Sequence, residues 1–158
     1  MSAASDLTAD IEVILSGLLD ATGASRGTLR ADDPARGWQS DIPCAEVLRY
    51  GAPTMRHDGS VNHRAAETIQ WIARTGCILK QEDLAAVSPR PPQALTQIYL
   101  AKAQMVAPVS RRGELYGWIS AHDIRGPRPW TAAHESAIAD AVSAVTRLLD
   151  EDDATAAM

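Results

Sequence analysis

The 158-residue chain contains no phenylalanine, so its four tryptophans and three tyrosines carry all of its large aromatic surface. It has two cysteines, Cys44 and Cys77, widely spaced and with no Cys-x2-Cys pair. That is too few for a disulfide framework, and two reduced thiols are expected. Four histidines are present; His57 and His63 share one loop region with Asp58 beside the first. No His-x3-His spacing occurs, and a closed zinc site needs four convergent ligands, so no metal is expected. No uninterrupted apolar run is long enough to span a bilayer. The start of the chain, residues 1–6, lacks the charged-then-apolar layout of a secretory signal, so the expected location is the cytoplasm, away from membranes. Basic residues are scattered and the net charge is -5, which argues against a surface built for nucleic acid.

What is present is enough apolar material, 46% of the residues, for one domain with its own core. That domain is expected over residues 1–150, followed by an acidic tail, 151–158, that should fray into solvent. A first helix opens with Thr8 as candidate cap and Asp10 and Glu12 in its opening turn. Its stripe, Leu7, Ile11, Ile14 and Leu18, is widened by Val13, Leu15 and Leu19, and Gly23 ends it. So wide a stripe serves either the domain's own sheet and last helix or a seam with a second copy. A strand follows at 25–31, turn chemistry at 32–37, and a second strand somewhere within 38–50, its register obscured by Pro43. Ala65, Ile69, Ile72 and Ala73 mark a helix ending at Gly76, with a short strand at 77–79 and a short helix at 94–103.

The clearest pattern lies after that. Two apolar runs, 104–109 and 115–122, are joined by a polar link whose Gly113 can take a positive φ, which is a hairpin signal. Pro108 suits an edge or a bulge, and Gly117 signals a close approach by a neighbouring chain segment. From about Thr131, a helical cap with Glu135 in the first turn, the period changes to three and four. Trp130, Ala137, Ile138, Ala141, Val142, Val145, Leu148 and Leu149 then share one face. On the strand at 115–123, strict alternation places Tyr116, Trp118, Ser120 and His122 on one side. Leu115, Gly117, Ile119 and Ala121 fall on the other. The first set mixes aromatic bulk with a hydroxyl and an imidazole, as the wall of an orienting pocket does. The competing reading is a partly exposed sheet face.

This order of Pro-containing strand, glycine turn, Leu-x-Gly strand, basic loop, aromatic-Thr and amphipathic helix resembles the C-terminal half of GAF domains. The segment 71–76, Trp-Ile-Ala-Arg-Thr-Gly, extends the resemblance backwards. It implies an α/β fold: a central antiparallel β-sheet with terminal helices on one face and a loop- and helix-covered pocket on the other. Comparison with phytochrome GAF domains implies a ligand-side His122, with Thr28 and Arg30 on the first strand, Tyr99 near the pocket tyrosine, and Gln104 and Val106 on the hairpin. The Cys-His pair that carries a bilin there has no counterpart, so a bilin is not expected. The cyclic-nucleotide signature is also broken, because the final helix opens Trp130-Thr-Ala-Ala-His134-Glu135 and no Asn-Lys pair precedes it. Haem, which the resemblance also brings into view, would need one axial histidine.

The expected function is therefore non-catalytic: a sensory or regulatory small-molecule-binding domain. Arg30 and His122 would orient the ligand, and Trp71, Tyr99 and Trp118 would supply apolar wall. A buried arginine needs an acidic or carbonyl partner, so the ligand is expected to be a small, aromatic, anionic molecule. The competing reading turns Arg30 to solvent against Asp32 or Asp33. No kinase, cyclase or helix-turn-helix segment is recognisable, so output is expected in trans, through the terminal helices of a homodimer and a partner regulatory protein. The alternative is a thiol enzyme resembling free methionine-(R)-sulfoxide reductase. Neither Cys44 nor Cys77 has a sequence neighbour that would lower its pKa.

Overall fold

The computed structural model describes residues 3–57, 59 and 61–157. Its elements are α1 (Ala3–Thr22), β1 (Arg26–Ala31), β2 (Ala45–Leu48), α2 (Glu67–Thr75), β3 (Leu79–Gln81), α3 (Gln93–Gln97), β4 (Ala103–Arg111), β5 (Glu114–Asp123) and α4 (Ala132–Ala156). All strand pairs are antiparallel, in the order β2-β1-β5-β4-β3. The expected hairpin is β4–β5, turning at Gly113 with φ +78°. Pro108 pairs with Trp118 on β5 but lies beyond the last β3–β4 pair, Leu79 with Val106, so β4 has no β3 partner there to lose. Gly117 is the expected close approach: a Cβ there would stand 2.1 Å from the Arg30 carbonyl oxygen.

Helices α1 and α4 pack together over one face. Beneath them, Ile11, Leu15, Leu19, Leu29, Met105, Val109, Ile119, Ala121, Ile138, Val145 and Leu149 form the main core. Leu15 and Leu19 are wholly buried there, whereas Val13 is 71% exposed. A seam with a second copy through Leu15 and Leu19 is thus ruled out by the domain's own packing. Thr8 is not a cap either, since α1 starts at Ala3 and runs through it. At α4 the expected cap holds. Thr131 Oγ1 accepts from His134 N at 3.2 Å, and His134 Nδ1 accepts from Thr131 N at 3.1 Å.

Three expectations shift. Helix α3 is shorter than 94–103, and β3 sits two residues later than 77–79, while α2 ends at the left-handed Gly76 as expected. Helix α4 continues through the acidic residues expected to fray. Carboxylates at a helix C-terminus oppose the dipole, but here two arginines meet them. Arg36 Nη2 donates to Asp152 at 3.0 Å and Asp153 at 2.6 Å; Arg111 Nη2 donates to Asp150 at 3.0 Å and Asp153 at 2.7 Å. Among the described residues no helix is long and apolar enough to cross a membrane.

Candidate ligand-binding site

The face of the sheet away from α1 and α4 is built by period-two alternation. On β1 it presents Arg26, Thr28 and Arg30, all buried, while Gly27, Leu29 and Ala31 face the helices. The register then lays out rows across the strands. One runs Leu48, Arg26, His122, Gln104, Gln81; the next runs Glu46, Thr28, Ser120, Val106, Leu79; the third pairs Arg30 with Trp118. Segments 49–57, 61–66 and 82–102, with α2 and α3, cover these rows. Ile69, Ile72, Leu79, Val106 and Trp118 form one apolar cluster there, and Met55, Leu84, Leu95, Tyr99 and Ala101 another.

An interior sheet face holding two arginines, a glutamate and a histidine is costly unless each finds partners. Arg30 Nη1 donates to the carbonyls of Ser40 at 2.9 Å and Asp41 at 2.7 Å, and Nη2 lies 3.8 Å from Met55 Sδ. It does not turn to Asp32 or Asp33, which are held by Arg64 and by Arg36 with Tyr116. Arg26 is 0% exposed. Its Nε donates to His122 Nδ1 at 2.9 Å, and its Nη1 to the carbonyls of Pro53 at 2.9 Å and Tyr99 at 3.1 Å. Its Nη2 and the hydroxyl of Thr28 are buried with no hydrogen-bond partner. Burial lowers both guanidinium pKa values to about 10, a pull that the nearby Glu46 partly opposes. Glu46 accepts from Met55 N at 2.8 Å and from Thr54 Oγ1, and lies 3.7 Å from Arg56 Nε.

His122 is held neutral. Burial, then Arg26, Arg30 and His63, depress its pKa well below the usual histidine value. Because Arg26 donates to Nδ1, the imidazole proton resides on Nε2. The rows enclose a cavity of about 20 Å³, lined by Arg30, Met55, His63, Thr68, Ile69, Pro92, Leu95, Gln104, Val106, Trp118, Ser120 and His122. That space holds about one water. A larger depression of about 520 Å³ lies outside, around Arg36, Arg64 and Arg111. It is open, and those arginines are already paired with Asp32, Asp33, Asp150, Asp152 and Asp153.

Of the residues read from the sequence, Arg30, Gln104, Val106, Trp118, Ser120 and His122 meet at this cavity. Thr28 lies beside Ser120 in the same row, and Tyr99 sits in the apolar cluster of the cover. Trp71 packs on the outer side of the α2 cluster, half-buried, and does not line the cavity. Tyr116 faces the other way. A register shift at Val109/Ser110 leaves it as the extra residue of a bulge, since Leu115 pairs with Ser110 and Gly117 with Val109. Leu115 therefore joins the Trp118 cluster, while Tyr116 packs against the helix-side core and donates to Asp33 at 2.6 Å. Sequence reasoning missed Arg26, Glu46, Met55 and His63. Alternation from Thr28 and Arg30 pointed to Arg26 without further information. Glu46 was hidden by the register uncertainty after Pro43.

Neither cysteine lines the cavity. Cys44 packs at the helix-side core, where burial pushes its thiol up to about 12, and Cys77 is exposed beyond α2. Among the described residues, no group of three or more His, Cys, Asp or Glu is placed to hold a metal ion.

The GAF domain family model matches residues 6–148. The chain belongs to the GAF domain family. Three solved structures show how widely this GAF fold is shared. The cyanobacteriochrome TePixJ GAF domain superposes with a TM-score of 0.74 at 19% identity, covering 97% of this chain and 98% of that one. The photoproduct state of a GAF domain from Synechocystis gives 0.74 at 13%, covering 95% and 97%. The free methionine-R-sulfoxide reductase from Neisseria meningitidis, in complex with its substrate, gives 0.69 at 13%, covering 96% and 82%. At such identities these likenesses concern the fold. No curated protein matches the sequence.

Proposed function

We propose that this GAF domain is a non-catalytic sensory module that binds a small anionic organic molecule on the inner face of its sheet. It relays occupancy through α1 and α4, in trans, as a cytoplasmic homodimer. The observation that carries this reading is the buried polar grid: Arg26, Arg30 and a neutral His122 held beside aromatic and aliphatic wall, a composition suited to orienting an acid. A ligand of ordinary size needs about 300 Å³ or more, so the cover must lift for it to enter. Two non-glycine residues in left-handed backbone, Tyr50 at φ 57° and Leu100 at φ 63°, stand where the two cover segments join the sheet and support hinging there.

The thiol-enzyme reading is less well supported, because neither cysteine borders the cavity and Cys44 is held as the inert thiol. A covalently attached tetrapyrrole has no cysteine on the cavity wall to carry it. Native mass spectrometry of the purified protein tests the proposal. A dimer with a co-purified organic acid of a few hundred daltons is expected; an ion series for the monomer alone, with methionine-sulfoxide reductase activity lost in Cys77→Ser, would replace it with the enzyme reading.

A further inference from the structure

Arg30 was the arginine that the sequence offered as the ligand's counterion, but both donors of its Nη1 serve protein carbonyls and its Nη2 faces Met55 Sδ at 3.8 Å. Arg26 is different. A guanidinium has five N–H donors. One of Arg26's goes to His122 and two to Pro53 and Tyr99, which leaves the two on Nη2 without an acceptor in a residue of zero exposure. One step along the same face, the Thr28 hydroxyl, in a residue 1% exposed, is also without a partner. The two residues are about 7 Å apart along β1, and neither lines the closed cavity, so an acid reaches them only when the cover has lifted. No carboxylate among the described residues forms an ion pair with Arg26. Glu46, opposite Thr28, is engaged by Thr54, Met55 N and Arg56.

Resting on the binding reading above, we infer that the acid group of the ligand is a carboxylate held by Arg26 Nη2 and the Thr28 hydroxyl, while Arg30 Nη1 holds the connection between β1 and β2 through Ser40 and Asp41. Three unspent donor hydrogens match one carboxylate, whose two oxygens accept up to about four. The same Arg26 ties both cover segments to the sheet through Pro53 and Tyr99. The residue that reads the acid is thus bonded directly to the parts that must move to admit it.

The test uses the full chain with benzoate, phenylacetate and 4-hydroxybenzoate, each paired with its neutral amide. Arginine Nε–H resonances are followed by nuclear magnetic resonance. At least one acid should bind at least tenfold more tightly than its amide and move the Arg26 Nε–H signal. Arg26→Gln, if folded by near-ultraviolet dichroism, should weaken that acid about 30-fold or more. Should Arg26→Gln fail to fold, Thr28→Val keeps the shape and should weaken the acid about fivefold with the amide unaffected. Amide binding equal to acid binding overturns the carboxylate subsite and leaves the binding module standing. Acid binding that leaves the Arg26 signal still, or is insensitive to both Arg26→Gln and Thr28→Val, also overturns it. Absence of binding by every acid and amide overturns this inference and counts against the module reading as well.

Discussion

Replacing Gly117 by alanine should damage the sheet at the point where the site is assembled. The added methyl would stand 2.1 Å from the Arg30 carbonyl oxygen, 2.8 Å from Ala31 Cβ and 2.9 Å from Ala31 Cα. Carbon–oxygen contacts in sheets lie near about 3.3 Å or more, so roughly 1.2 Å of relief has to come from backbone. Gly117 pairs with Ala31 on one side and Val109 on the other, so β5 cannot retreat without straining one ladder. Overpacking in cores costs about 1–3 kcal/mol when side chains yield; with backbone on both sides we expect about 3 kcal/mol or more. Gly27→Ala is the control. Its nearest contact is 3.4 Å to Leu19 Cδ2, the end of a flexible side chain, so its effect should stay within about 1 kcal/mol of zero. Urea unfolding of the two variants, followed by tryptophan fluorescence with unchanged m-values, measures the difference. A loss below about 1 kcal/mol for Gly117→Ala would refute this account of the β1–β5 contact.

The arginine clamp on α4 should be visible in pH and exchange. Arg111→Ala should cost about 1–2 kcal/mol at pH 7 and speed amide exchange over residues 148–156. The two arginines hold the Asp153 carboxyl below its usual range, so its contribution is present above the unfolded carboxylate pKa of about 4 and is lost as pH falls through the folded value. The gap between parent and variant should therefore close in acid, and a gap that persists there would contradict the clamp. Leu15→Glu should unfold the domain at a cost of several kcal/mol, whereas Val13→Glu should leave thermal stability within about 1 kcal/mol of the parent. A folded Leu15→Glu would return that residue to an interface role. A thiol reagent should titrate the exposed Cys77 promptly and the partly buried Cys44, its thiol pushed up to about 12, far more slowly; two equally fast thiols in the native protein would contradict this. Thr131→Ala should lower stability by about 1 kcal/mol through loss of the α4 cap, read as a shift in urea midpoint.

How much of this was legible depended on whether a signal was local. The hairpin, Gly117 and the Thr131 cap follow from turn chemistry and period within a few residues, and each stands where the sequence put it. Alternation located Trp118, Ser120 and His122 on one face, but it failed at Tyr116 because a bulge adds one residue and reverses everything before it. Nothing in a single strand announces a bulge, as it is a property of the pair. The helical extension to Ala156 was equally hidden, since Arg36 and Arg111 lie far from the acidic end in sequence. Arg26 was within reach of the pattern already applied to Thr28 and Arg30; its pairing with His122 was not, because it spans two strands distant in the chain.

The central claim, that the inner face of the sheet is the ligand site, is tested most directly by a protein-observed fragment screen on the tryptophan indole resonances. Trp118 lines the cavity, Trp38 packs at the helix-side core, and the Trp130 indole donates to the Gln81 carbonyl at 3.1 Å. Binding fragments, acids foremost, should move the Trp118 indole signal and leave Trp38 unmoved. Hits that collect at Trp38 or in the α1–α4 groove around Gly17, Ala21 and Ala144, with Trp118 silent throughout, would place the site elsewhere and contradict the account.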